Sequence, residues 1–530
     1  GIGNTAFGSQ SLFSNTTGNN NIAIGPTSLA NHKSGDNNIA IGSNAMNNDT
    51  TGVNNISIGA FSLFNSKNIQ NNVSVGNFAL FSNKTGNNKT ALGSNALSQD
   101  TSSAGNTALG SFSLGNNRAG LGNVAVGAFS LRNNSMGNRN TAIGDSAMFT
   151  QSFANGNVNY DMDNTAVGSK ALFFNQPTNS ANGYKNTALG SEALYLNTTG
   201  FENTAIGTGA MHDNITGQQN TAVGRSTNRL AKSGINNTYM GFEAGYNDSI
   251  SGNNVGMGYR SLRTGSNGQN TAVGADASFS MTTGSSNASL GFQSMVANSS
   301  GSLNTAVGAG SLTFNTTGTG NTAIGGAANV TSGNLTNATA IGSRATVAQS
   351  NTLVLGSISG INGATATVKV GIGTNAPALS SALDITSTST GLLIPRMSKA
   401  QKNAIVTPAT GLMVYQNAPD SVGFYYYNGT AWLWMATATN VSDWATSGNA
   451  GTDTAVNFIG TTDNMPLRFK QNNGWIGQFD RTNRNYFIGS GAGQLSTSGA
   501  ANVAIGDSAM AKSINTVANV AIGNNALKEK

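Results

Sequence analysis

A short run of alternating small and large residues, closed by glycine, recurs down the chain. Asn4-Thr5-Ala6-Phe7-Gly8 is its first copy, and the closing glycine returns at positions 25, 42 and 59 and onward to 342 and 356. Sixteen of the twenty gaps between these glycines are 17 residues long. The residue before the glycine is large and apolar, as in Ile24, Ile41, Val75, Leu92 and Val126. Two before it stands a small residue, usually Ala, with Tyr239 and Val354 as exceptions, and three before it usually Thr, Ile or Val. An alternation of period two predicts a short strand with one large β-branched face and one small face, both expected to be buried.

Four residues after the glycine a Leu or Met recurs, at Leu12, Leu29, Met46, Leu63, Leu80 and Leu97, which fits a second inward-facing segment per unit. Ten after it a second glycine often stands, as at Gly18, Gly35, Gly52 and Gly86, and reads as a corner that needs positive φ. A 17-residue helix with two glycines and no charged face is implausible. Each unit is therefore one coil of an all-β parallel solenoid or β-roll. At a strand spacing of about 4.8 Å, 21 such coils stack to roughly 100 Å. Asn opens nearly every unit (Asn4, Asn21, Asn38, Asn106, Asn123, Asn140), so an asparagine ladder is expected at one corner. The small Ala face is expected to form a flat apolar strip, best covered by copies of itself in a homo-oligomer.

The repeat changes how composition is read. Charged residues are only 9% of the chain, and Gly, Asn, Ser and Thr abound; without a period this would spell disorder. The excess of 26 basic over 20 acidic residues is spread thinly, with no basic block, so a nucleic-acid partner is not expected. Cysteine is absent, which excludes disulfides and thiolate metal sites. No apolar window is long enough for a transmembrane segment. The chain starts and stops inside a repeat, so an export signal and an anchor are expected to lie elsewhere.

The period breaks after Gly356 and resumes at Gly489, Gly506 and Gly523. The expected organisation is a β-roll over 1–356, a transition over 357–379, a small mixed module over 380–436, a linker with extra strands over 437–484, and a second roll over 485–530. Within the module Ser398 is placed to cap a short helix running to Ile405, and Asn428-Gly429 to turn a hairpin between aromatic-rich strands.

The Asn-Thr-Ala-Ile-Gly units resemble the head repeats of YadA-like trimeric adhesins and the repeats of phage tail fibres. Gly391-Leu392-Leu393-Ile394-Pro395-Arg396-Met397, Gly411-Leu412-Met413-Val414-Tyr415 and the stretch from Phe424 to Trp432 resemble a module of bacterial surface fibres and phage-related fibre proteins. The resemblance implies a left-handed parallel roll in which three chains pack along an axis. This chain's unit is longer than the adhesin coil, and only the gap from Gly342 to Gly356 is 14 residues, so a ring larger than three stays open. The implied role is a structural and adhesive segment of an extracellular fibre, at a cell surface or as a virion tail fibre. Its partners would be copies of itself and a surface glycan or protein receptor.

Candidate ligand-contacting residues fall in two places. The gaps Gly144–Gly168 and Gly168–Gly190 are 24 and 22 residues, and these adjacent insertions carry Phe153, Tyr160, Asp161, Asp163, Tyr184 and Lys185, read as a binding bump or as tolerated loops. The aromatic module offers Tyr426, Trp432 and Trp434 as a sugar-stacking platform or as a β core. Asp161-Met162-Asp163-Asn164 has too few oxygen ligands for a calcium loop. His32 and His212, the only histidines, are expected on loops, far apart and forming no metal site or triad. No cofactor is expected and no enzyme activity. A polysaccharide-cleaving tailspike is the catalytic alternative, and it would need paired carboxylates in a groove, whereas no acidic residue is expected to recur at stacked positions.

Overall fold

The computed structural model of the 530-residue chain describes residues 1–151, 158–265, 267–418, 421–435, 459–496 and 498–529. Two compact units emerge, Gly1–Thr388 and Ser389–Lys530. In the first, three-residue strands from Thr5–Phe7 to Leu353–Leu355 join in one parallel sheet of 21 strands. Each strand pairs with its equivalent one coil away, as Ile22, Ala23 and Ile24 pair with Ile39, Ala40 and Ile41. The register survives both long gaps, with Thr141 opposite Thr165 and Thr165 opposite Thr187.

The two strand faces are the reverse of the sequence expectation. The Ala column points into the coil and is fully buried (Ala23, Ala40, Ala108, Ala125), while the large residues face outward. Leu92 is 49% exposed, Leu189 45% and Leu290 50%. A 17-residue coil bends so tightly that little room remains between the strand and its opposite limb. Ala on one side and a fully buried Leu or Met on the other, such as Leu29, Met46 and Leu63, fill it. The coil ending at Gly241 confirms this volume rule by exchange. Tyr239 replaces the Ala, and Gly245 replaces the facing Leu; a Cβ on Gly245 would lie 2.7 Å from the Tyr239 ring. Phe487 and Gly493 repeat the exchange in the second unit.

The closing glycines answer to two demands at once. Gly127 has φ +123°, and a Cβ there would sit 2.5 Å from the carbonyl oxygen of Gly144 in the next coil. The second glycine was expected to supply positive φ, and it does not. Gly35 is needed because a Cβ would fall 1.8 Å from the Gly52 carbonyl oxygen. The left-handed backbone is carried by other residues instead, including Asn20 (φ 55°), Thr27 (φ 56°) and Leu29 (φ 49°). For Leu29 this costs about 1–2 kcal/mol, offset by its burial and by its N–H donating to the Ala45 carbonyl at 3.0 Å.

The asparagine column runs along the stack in the buried interior. Asn21 Oδ1 accepts from the Asn38 backbone N–H at 2.9 Å and from Asn38 Nδ2 at 3.0 Å, while Asn38 Nδ2 also donates to the Gly52 carbonyl at 2.7 Å. Each amide thus satisfies backbone groups that the narrow coil buries.

In the second unit, a four-stranded sheet comprises Arg396–Met397, Met413–Gln416, Gly423–Tyr427 and Trp432–Trp434. The helix Lys399–Asn403 carries a complete capping box between Ser398 and Gln401. A second sheet begins with the antiparallel hairpin Leu467–Gln471 and Gly474–Asp480. It continues through Asn485–Ile488 into the parallel coil strands Val503–Ile505 and Val520–Ile522. Among the described residues no helix is long and apolar enough to cross a membrane.

Candidate functional site

The insertion residues form a small packed outgrowth. Tyr160–Asp161 pairs in parallel with Gly137–Asn138, and Tyr160 is buried against Met136 and Met162, so burial pushes its phenol well above the usual value. Arg139 reaches Asp161 at 2.8 Å and Asp163 at 2.6 Å. The hydrogen bond from Arg139 holds the Asp163 carboxyl below its ordinary range. Tyr184 stacks on Phe201 with centroids 5.0 Å apart, and Lys185 lies 3.8 Å from Glu202. Arg139, Asp161, Asp163, Lys185 and Glu202 thus make a surface ion-pair cluster, which contributes little stability. Phe153 lies outside the described residues.

In the module, Lys402 Nζ sits 3.4 Å above the Tyr425 ring and 5.7 Å from Trp432. Burial, and then the charge of Lys399, lower the Lys402 pKa. Tyr427 packs on Trp432 at 5.5 Å, while Trp434 is half exposed and Tyr426 36% exposed. Trp432 and Trp434 therefore share the face that carries Tyr425 and Tyr427, Trp432 the better packed of the two, while Tyr426 lies with Leu433 on the opposite face. Leu392 and Leu393 are about 70% exposed beside an open cleft that Arg396, Tyr415 and Phe424 also line.

A long apolar surface lies along the outward strand column of the first unit. It runs from Phe7 through Leu92, Ile143, Leu189, Met240, Leu290 and Ile324 to Leu355. A continuous apolar stripe of this kind on one chain marks an interaction surface. Two further partly exposed columns are aromatic, with rings stacked coil on coil: two residues after the closing glycine Phe61 lies on Phe78 at 5.2 Å, and five after it Phe149 lies on Phe173 at 5.1 Å and Tyr195 on His212 at 4.9 Å. Each ring covers its neighbour's face, so these columns present edges.

Buried charge was missed from the sequence. Seven residues after their closing glycines, Asp49, Asp100 and Asp248 share one interior column, against the expectation that no acidic residue would recur at stacked positions. They occupy separate coils, and each has its own donor. Asp49 faces His32 Nδ1 at 3.2 Å, Asp100 faces Lys89 Nζ at 2.7 Å, and Asp248 accepts from the Tyr239 hydroxyl. His32 lies outside the strands, as expected, yet is fully buried, and its Nε2 lies 2.8 Å from the Gly35 carbonyl. With an acceptor beside each ring nitrogen, the site favours the doubly protonated imidazolium. Burial opposes that charge, but the Asp49 hydrogen bond, the Gly35 carbonyl and the charges of Asp49 and Asp36 outweigh it and raise the His32 pKa. The visible signal was Lys89 standing in a column of asparagines.

Residues 371–451 match the family described as phage tail like trimerisation region. The curated proteins include no match to the chain. Together the trimerisation match and the 17-residue parallel coils fit a tail-fibre-like structural repeat protein, and the match supports a trimer. It covers the four-stranded sheet with Tyr426, Trp432 and Trp434.

Proposed function

We propose that this chain is the non-catalytic shaft of a trimeric extracellular fibre that attaches to a surface, a host or another cell. The observation that carries the reading is the outward apolar column, which extends over the whole 21-stranded sheet of a chain that also holds a trimerisation match. Three copies packed along that column would cover it. The phage-type match favours a tail fibre over a cell-surface appendage as the setting. Asp49, Asp100 and Asp248 are buried and individually paired, and the exposed Asp161 and Asp163 are both tied to Arg139, which speaks against the free carboxylate pair of a tailspike.

Light scattering on the native particle tests the assembly, with three chains expected. Replacing Leu92 and Leu189 by Asp should lower the mass toward one chain if the column is the interface; an unchanged trimer would confine assembly to the module. Binding of the labelled particle to intact cells tests adhesion. Shortened polysaccharide after incubation would replace the shaft reading by a tailspike.

A further inference from the structure

Lys89 stands where the adjacent coils carry Asn72 and Asn106, and its side chain is fully enclosed. Its Nζ lies 2.9 Å from Asn83 Oδ1 and 2.7 Å from Asp100 Oδ1, and the Asp100 side chain is equally enclosed. Asn83 is fixed at both ends of its amide. Its Nδ2 donates to the Gly86 carbonyl at 3.0 Å, and the Gly86 N–H donates to its Oδ1 at 2.9 Å. Asp100 also accepts from the Ser103 N–H and hydroxyl and from the side-chain amides of Asn106 and Asn117. An enclosed amine, a polarised amide and an enclosed carboxylate therefore meet inside the coil.

We propose that Lys89 Nζ and Asn83 Cγ become joined by an isopeptide bond inside the stack, with Asp100 carrying the protons. Burial lowers the Lys89 pKa against the attraction of Asp100, which favours the neutral amine that a nucleophile needs. Asp100 takes one proton from the ammonium. The freed lone pair attacks Cγ, whose carbon is bonded to the oxygen that Lys89 already touches, a reach compatible with the separation of about 3–3.5 Å required for attack. The carbonyl electron pair moves to Oδ1, where the Gly86 N–H stabilises the oxyanion. Asp100 then protonates Nδ2, and the Cγ–Nδ2 bond breaks as the carbonyl re-forms. One C–N bond is made and one is lost. The departing ammonia takes up the last proton as ammonium, and Asp100 ends as the carboxylate it began as, so no oxidant or co-reactant is consumed. Asn83 is the acyl partner rather than Asp100, because four donors hold Asp100 as a carboxylate, a poor electrophile, whereas the Gly86 N–H activates the amide.

Mass spectrometry of the full chain tests this directly. The expected intact mass lies below the sequence mass by one ammonia. Trypsin should cut after Lys84 but not after Lys89, leaving the peptide that ends at Lys84 attached to the one that begins at Thr85. A full mass with separate peptides overturns the proposal, as does loss of ammonia without a branch, which would be an asparagine succinimide. Loss of one water with Lys89 attached to Asp100 overturns the choice of Asn83. Asp100→Asn should abolish the branch, and a branch persisting in that variant would remove Asp100 from its role. Lys89→Asn, which restores the residue of the neighbouring coils, is the unlinked control. The peptide map of the unaltered chain decides the bond itself, whatever the variants' folding.

Discussion

In the stack, Ala125 and Leu131 meet the surroundings that Ala108 and Leu114 meet one coil earlier; in the four-stranded sheet, Tyr425 and Lys402 form a pairing of their own. The stack spreads its stability over many equivalent small interfaces, as repeat architectures do. A defect there touches the coils on both sides and every column passing through. The aromatic sheet concentrates its packing in a few large side chains, so a defect stays with them.

The sharpest way to break the contrast is Gly127→Val. The new Cβ would lie 2.5 Å from the Gly144 carbonyl oxygen at a backbone φ of +123°, so a loss of about 4 kcal/mol or more is expected in urea unfolding. Hydrogen exchange should rise on both sides of the substituted coil; a rise restricted to it would refute neighbour dependence. Next in size is Gly245→Leu, which drives a side chain into the Tyr239 ring and should cost about 1–3 kcal/mol. Adding Tyr239→Ala restores the Ala–Leu pair of the other coils and should recover most of that loss. A double variant no better than Gly245→Leu alone would dismiss the volume exchange.

A smaller effect is expected from pH. The His32 pKa is raised in the folded chain from the usual 6.5, so its contribution is fully present below that value and fades as pH climbs through the raised one. Unfolding measured across this range should show stability falling with rising pH, and His32→Gln should flatten that slope. An equal slope in both proteins would assign it to another group. The least is expected from Lys402→Met, which keeps the packing over Tyr425 but removes the cation, a loss of about 1 kcal/mol. Exchange in the stack should stay unchanged.

The same contrast governs how far the sequence could be read. Period and register were legible because each coil repeats the statement of the last. Which face points inward was not, since an alternation of two defines two faces and leaves the curvature that encloses one of them unspecified. Only the tightness of the coil selects Ala over Ile for the interior. Gly35 was legible as a necessity but for the wrong cause, because close approach of the next carbonyl and positive φ both demand glycine. The buried donors were hidden differently. His32, Lys89 and Tyr239 make sense only beside Asp49, Asp100 and Asp248, and those pairings appear when the units are laid in columns. In the module, the cap at Ser398 was readable locally, whereas the seat of Lys402 on Tyr425 depends on how helix and sheet meet.

The register across the 24- and 22-residue gaps has a consequence for the measure of the fibre. Extra residues at a corner leave Thr141, Thr165 and Thr187 in line, so length along the stack counts coils and ignores how many residues each one holds. The chain works as a ruler graduated in steps of about 4.8 Å. Whole units added or deleted would reset reach in fixed increments, while whatever is carried at a corner can be exchanged without moving any other mark.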